Sequence, residues 1–330
     1  MKVIEAETLR KEFSDEIVAV AGIDLAVEQG EVFAFLGPNG AGKTTTVRML
    51  TTLLRPTSGK ARVAGYDVYS QQHAIRRSIG VALQEAGLDG LATARELLEL
   101  QAKLFGMDGM TARRRANEMM ELVGLVDAAD RQVKTFSGGM KRRLDLASAL
   151  VHEPLILFLD EPTEGLDPAS RAAVWQEVQR LNTQTEMTVF LTTHYLEEAD
   201  RLADRLAIID HGVIVAEGTP AELKASIGAD VVTVALDHER IEVGRSLLSS
   251  MEGVREMRIE ERSLTLFVDD GTQAVAQVVR TLDGAGIAMG PVAVSNPTLD
   301  EVFLRATGSR LEGAGAPRGN GRKEENDGAS

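Results

Sequence analysis

The chain has 330 residues, a formal net charge of −14, 44% hydrophobic and 26% charged residues, and no cysteine. This length and apolar content can bury one large core plus a smaller one, and the lack of cysteine excludes disulfides, thiolate metal sites and a cysteine nucleophile. The acidic balance argues against a protein that coats nucleic acid, and no apolar run approaches the roughly 18 to 20 residues a membrane-crossing helix needs.

The first residues, MKVIEAETLRKEF, place acids where a signal peptide would need an unbroken apolar segment, so a cytoplasmic location is expected. Residues 31–54 then read EVFAFL, GPNGAG and KTTTVRMLTTLL, a short apolar strand, a glycine loop and a helix, closed by RPTSG. This is the setting a phosphate-binding loop requires. In GPNGAGKT, Gly37, Gly40 and Gly42 let the backbone turn its N–H groups toward phosphate oxygens at close range. Lys43 adds a positive charge for the β- and γ-phosphates, and Thr44 puts a hydroxyl where Mg²⁺ needs one.

From about residue 85 to 150 the strands disappear and a helical insert is expected. TARELLELQAKLFG opens with a Thr93/Glu96 capping box, and TARRRANEMMELVGL carries apolar residues at helical spacing. The insert ends in TFSGGMKRRLDLAS, residues 135–148, a second glycine-rich turn that opens a helix. Its bare N–H groups offer another seat for an anion. The residues alone leave open what that seat holds.

A second apolar strand, PLILFLDEP (154–162), ends in Asp160 and Glu161, and a third, MTVFLTTH (187–194), ends in His194. Between them SRAAVWQEVQRLN (170–182) reads as a helix. Continuous apolar strands separated by helices predict a parallel sheet covered on both faces. Asp160 is where a second Mg²⁺ anchor is expected, and Glu161 is placed to polarise a water beside the γ-phosphate. Acids at strand ends also serve as helix caps, and a strand-end histidine is often structural.

After AEGTPAELKASIG, the segments VVTVAL, ERIEVGRSLLSSM, VREMRIE, SLTLFVDD, TQAVAQVVRTLDGAG and IAMGPVAVS spell βαββαβ, the split arrangement of ferredoxin-like domains. TLDEVFLRA reads as a short amphipathic helix that packs Leu299, Val302 and Phe303 against the body. The expected division is 1–220, 221–308, and a tail from 309 to 330 too poor in apolar residues to fold.

Taken in order, these stretches resemble the ATP-binding subunits of ABC transporters. GPNGAGKTT matches the Walker A loop, Gln84 after RSIGVAL the Q-loop, SGGMK the signature, LILFLDE Walker B, GLD at 165–167 the D-loop, and His194 in LTTH the switch histidine. Phe13 sits where the family places an aromatic against adenine. The C-terminal stretch, with NPTLDEVFL at 296–304, resembles the extension of antibiotic-resistance exporters of the daunorubicin/doxorubicin type. Phe136 stands where leucine is usual before the signature, and Glu164 where the family more often has a small or hydroxyl residue.

The resemblance implies an α/β P-loop NTPase fold of the ABC ATPase type, with a parallel-sheet core, an antiparallel β part and the helical insert, followed by a small α+β domain. It implies that ATP is held by Phe13 and by Gly37, Pro38, Asn39, Gly40, Ala41, Gly42, Lys43, Thr44 and Thr45. It implies Mg²⁺ at Thr44, Gln84 and Asp160, and catalysis by Glu161, His194 and Gln84. In the family two such domains pair head to tail, so Ser137, Gly138, Gly139 and Asp167 would act on the ATP of the other copy. That gives the second seat its occupant. With one copy of each motif in the chain, the partner is a second copy or a related ATPase subunit. A separate polytopic membrane permease is implied, with this chain peripheral at the cytoplasmic face of the cell membrane, and no nucleic acid is expected. The other readings are a soluble ABC ATPase that remodels ribosomes or nucleic acid, and a drug-sensing or sequestering protein.

Overall fold

Strands β1 (Lys2–Glu12) and β2 (Val18–Glu28) pair antiparallel and set buried positions against exposed ones, in an order interrupted by register shifts along the pair. The computed structural model describes residues 1–309 except 15–16, 84–86, 228–229, 238, 261 and 296. Gln84 and all of the predicted tail but Ser309 therefore lie outside the described residues. Strand β3 (Val32–Leu36) is buried throughout and leads through the glycine loop into α1 (Lys43–Leu50). The helix stops short of the expected LTTLL because Thr51 folds its hydroxyl back on Val47 O at 2.8 Å and Thr52 turns to φ 63. Strands β4 (Ser58–Val63) and β5 (Tyr66–Asp67) complete a sheet in the order β2-β1-β4-β5.

Helix α2 (Gln72–Ser78) and strand β6 (Ile79–Ala82) precede the helical insert of α3 (Ala94–Leu104), α4 (Gly109–Leu122) and α5 (Gly138–Leu150). The Thr93/Glu96 capping box forms as expected, and α4 begins at Gly109 because Asp108 accepts the N–H groups of Met110 and Thr111. The chain continues through β7 (Ile156–Asp160), α6 (Pro168–Thr185), β8 (Thr188–Thr193), α7 (Leu196–Leu202), β9 (Arg205–Asp210), β10 (Val213–Gly218) and α8 (Pro220–Ala225).

The second sheet runs β10-β9-β3-β8-β7-β6, parallel except for β10. Its strands are apolar on both faces because both are covered. Along β3 and β7, Phe33, Phe35, Ile156 and Phe158 enter one core, while Ala34, Leu36, Leu157 and Leu159 enter the other, with the helices of the insert. Phe190 of β8 gathers Phe33, Phe35 and Phe158 with ring centroids 5.5–5.8 Å away. Register sets Leu36 beside Thr193 and Asp160 beside Thr192, so the loops after β3, β7 and β8 leave the sheet side by side. The carboxyl end of a parallel sheet is where such folds bind ligands.

The remaining elements are β11 (Asp230–Leu236), α9 (Ile241–Leu248), β12 (Val254–Glu260), β13 (Ser263–Val268), α10 (Gly271–Gly284), β14 (Met289–Ser295) and α11 (Leu299–Thr307). The strands form an antiparallel sheet in the order β12-β13-β11-β14, the ferredoxin-like arrangement, over a core of its own. Helix α11 turns back: Leu299, Val302 and Phe303 are buried in the same cluster as Leu196, Ala199 and Leu202 of α7. No helix among the described residues is long and apolar enough to cross a membrane.

Candidate functional site

The glycine loop leaves β3 with Gly37 N–H donating to Thr193 O at 3.2 Å, which ties it to the end of β8. A side chain at Gly37 would put its Cβ 2.4 Å from Ile209 O, and one at Gly42, where φ is 110, would lie 2.4 Å from Ala19 O. Neither position can hold anything but glycine without moving backbone. Lys43 opens α1 with its side chain buried, donating to Gly37 O at 2.9 Å and Pro38 O at 3.1 Å. Its ammonium also lies 3.0 Å from Glu161 Oε1.

Glu161 follows β7 at φ 49, a left-handed conformation costly for a residue with a side chain. Thr192 holds it there, accepting the Glu161 N–H at its hydroxyl (3.0 Å) and at its carbonyl (3.2 Å). The turn aims the carboxylate between two partners, Lys43 and His194, whose Nδ1 is 3.1 Å from Oε2. Burial is the largest influence on this carboxyl and opposes its ionisation. The His194 hydrogen bond and the Lys43 ammonium outweigh it, and hold Glu161 down at about 2.

Asp160 stands beside it with Oδ1 accepting from Thr192 Oγ1 (2.6 Å) and Thr44 Oγ1 (3.1 Å). One hydroxyl and one carboxylate, both hard oxygen ligands, suit Mg²⁺, which takes few protein ligands and shares the rest with phosphate and water. Four residues after His194, Glu198 of α7 is wholly buried and accepts from Thr163 (3.0 Å) and Trp175 (2.7 Å). Burial raises its carboxyl, against the opposing hydrogen bonds of Thr193, Trp175 and Thr163.

The second seat is different in kind. Ser137 caps α5 by accepting Met140 N–H at 3.3 Å, and Ser137 and Gly138 are exposed. Phe136 is buried in the core as leucine would be, with Arg131 over its ring. Asp167 is an exposed cap of α6, accepting from Ala169 N–H, Ser170 N–H and Ser170 Oγ, and the Ser170 hydroxyl is the main reason its carboxyl is lowered. Phe13 is exposed just past β1, its N–H donating to Ile17 O at 3.0 Å and Lys11 lying over its ring. The strand pair that carries it continues to Ala19, whose carbonyl faces Gly42.

The structure thus brings Lys43, Thr44, Asp160, Glu161 and His194 together, and leaves Ser137, Gly138 and Asp167 facing outward. Sequence reasoning missed Thr192, Glu198 and Arg142. Thr192 carried a signal, as a hydroxyl residue in LTTH one position before the strand ends. Arg142 carried none, since Arg142 and Asp145 at i,i+3 read as an ordinary surface pair.

A family model described as ABC transporter matches residues 20–164, and one described as ATP-binding protein DrrA1-3-like, C-terminal domain, matches residues 218–307. The chain is 47% identical to the daunorubicin resistance ATP-binding protein DrrA3 of Streptomyces coeruleorubidus, over 92% of this chain and 96% of that one. It is 48% identical to the daunorubicin/doxorubicin resistance ATP-binding protein DrrA of Streptomyces peucetius, over 88% of each. Among solved structures, a dimeric post-hydrolysis state of the ATP-binding cassette MJ0796 bound to ADP and Pi is similar with a TM-score of 0.60 and 27% identity, covering 66% of this chain and 98% of that one. These likenesses do not favour a ribosome or nucleic-acid remodeller, or a sequestering module.

Proposed function

The chain belongs to the ATP-binding subunits of ABC transporters, of the daunorubicin/doxorubicin-resistance type, and from that premise we propose that two copies close around two MgATP and drive a separate membrane permease that exports a drug or antibiotic. The observation that carries the reading is the placement of Glu161 between Lys43 and His194, beside the Thr44 and Asp160 oxygens. The chain supplies the ATPase, works at the cytoplasmic face of the membrane, and leaves cargo recognition to the permease.

The chemistry follows from the partners of each group. The glycine loop presents backbone N–H groups and the start of α1 to the phosphates. Thr44 and Asp160, with Gln84 as the expected third contact, would hold Mg²⁺, which when bound would supply charge neutralisation at the phosphate oxygens. Lys43 is shared between Glu161 and two loop carbonyls, and a γ-phosphate competes for it. Once Lys43 turns to phosphate, burial is less opposed at Glu161, and the carboxylate gains affinity for the proton of an attacking water. The base is strengthened by the arrival of its substrate. His194 keeps the carboxylate oriented through Oε2, and Thr192 fixes the backbone turn that both depend on. Ser137, Gly138 and Gly139 complete the site of the other copy, with Asp167 at the same interface, while Phe13 stacks on adenine.

Glu161→Gln keeps the shape and removes the base. It should bind MgATP with near-normal affinity, lose turnover by on the order of 10² to 10⁴-fold, and accumulate an ATP-bound dimer on size-exclusion chromatography. Turnover within about twofold of wild type would exclude Glu161 as the base.

A further inference from the structure

Arg142 lies near the start of α5, within the first turns of the helix that Ser137 caps. Its side chain is 11% exposed and its donors are distributed over separate segments. Nη1 donates to Leu83 O at 2.6 Å, Nη2 to Asp160 O at 3.1 Å and Nε to Pro162 O at 2.8 Å, with Asp145 Oδ2 at 3.2 Å from Nη1. Leu83 immediately precedes Gln84, and Asp160 and Pro162 bracket Glu161. One guanidinium therefore ties the helix behind the second anion seat to the backbone on both sides of the first seat's carboxylate.

We propose that Arg142 is a positioning residue that couples the two nucleotide sites of the pair: movement of α5, as Ser137 closes on the partner copy's nucleotide, is passed through Arg142 to the backbone that aims Asp160 and Glu161 at the chain's own nucleotide. The inference rests on the paired reading above. A buried guanidinium left without acceptors is costly, so the three carbonyls and the helix move together or the contacts break at a penalty. The planar fork is what allows this span. Lysine, with its donors on a single nitrogen, cannot reproduce the spread of Nε, Nη1 and Nη2 over these three carbonyls. Burial lowers Arg142, with Asp145 opposing, and pushes Asp145 up to about 6, with Arg142 opposing.

The test compares wild type with Arg142→Lys and Arg142→Gln in three measurements: thermal unfolding, binding of a fluorescent ATP analogue to dilute monomer, and the ATP dependence of hydrolysis at concentrations where pairs form. Wild type should show cooperative hydrolysis with a Hill coefficient approaching about two, the number of coupled sites. Both variants should keep analogue affinity within about threefold, while the Hill coefficient falls to about one and kcat drops about tenfold or more. Should Arg142→Gln fail to fold, Arg142→Lys decides, since it keeps the charge and most of the volume. A Hill coefficient like that of wild type in the folded variants, with or without a lower kcat, overturns the coupling. So does a folded variant that loses analogue binding as monomer, because Arg142 would then serve its own cradle. Hyperbolic hydrolysis by monomeric wild type would instead overturn the paired reading itself, and is read before any variant is made.

Discussion

The two glycine-rich helix starts of this chain share the same local physics, with glycines before α1 and at the first positions of α5, and yet they finish differently. At 37–44 the loop is enclosed: its cation is buried, bonded to two loop carbonyls and paired with Glu161, and its hydroxyl meets Asp160. At 137–139 the seat is exposed, and Ser137 does no more than cap its own helix. The first seat is completed by its own chain, through strands that bring residues more than a hundred positions apart to one edge of the sheet. The second has a floor and no walls. The difference shows that a helix start becomes a binding site through what surrounds it, and under the paired reading proposed above the second seat takes its surroundings from another molecule.

Removing Lys43 tests the enclosed seat most severely. Lys43→Ala leaves the backbone donors but takes away the only side-chain cation bonded to Glu161 among the described contacts apart from the His194 imidazole. Turnover should fall by on the order of 10³-fold, with MgATP affinity falling alongside it in equilibrium binding. Retained turnover would mean that the enclosed seat is not where hydrolysis occurs. Ser137→Arg tests the open seat with a smaller expected effect. A long cation on an exposed surface costs the monomer little, so MgATP binding to dilute protein should stay within about threefold, while closure fails and turnover falls about tenfold or more. If the variant still forms an ATP-dependent dimer, the second seat does not face the partner's nucleotide.

Much of this contrast could be read from the sequence, and the reason is locality. GPNGAGKT is a strand, a turn and a helix start within one short stretch, and each of its requirements acts between near neighbours. The βαββαβ domain was legible for the same reason, since the short apolar runs VVTVAL and SLTLFV and the helical spacing along TQAVAQVVRTL set each element separately. The antiparallel sheet of β1, β2, β4 and β5 came only through family resemblance, because β1 mixes charged and apolar positions without clean alternation. Arg142 was not legible at all as a positioning residue, and Thr192 only faintly, as a hydroxyl near a strand end. Besides the Asp145 and Asp160 carboxylates, their partners are backbone carbonyls and a backbone N–H, which carry no sequence identity and are brought close by the register of β6, β7 and β8.

The smallest effect sharpens the comparison through pH. Near the first seat lies the buried Glu161 and on the helix of the second the partly buried Asp145, and the two carboxyls are perturbed in opposite senses. Glu161, with Lys43 and His194 against it, is lowered from 4.5 to about 2, so it favours folding above its unfolded value and loses that contribution as pH falls from 4.5 toward 2. Asp145, for which burial outweighs the single Arg142 contact, is raised from 3.8 to about 6. Between those two values the folded state binds the proton more tightly than the unfolded chain, so this group's contribution to stability declines as pH rises from about 4 to 6 and is flat beyond. Asp145→Asn keeps an oxygen for the Arg142 N–H and cannot ionise. Its stability, measured by urea unfolding from pH 4 to pH 7, should therefore gain on wild type by about 1 to 3 kcal/mol across that window. Parallel curves for the two proteins would show that Arg142 offsets the burial of Asp145 and that its carboxyl is not raised in the folded protein.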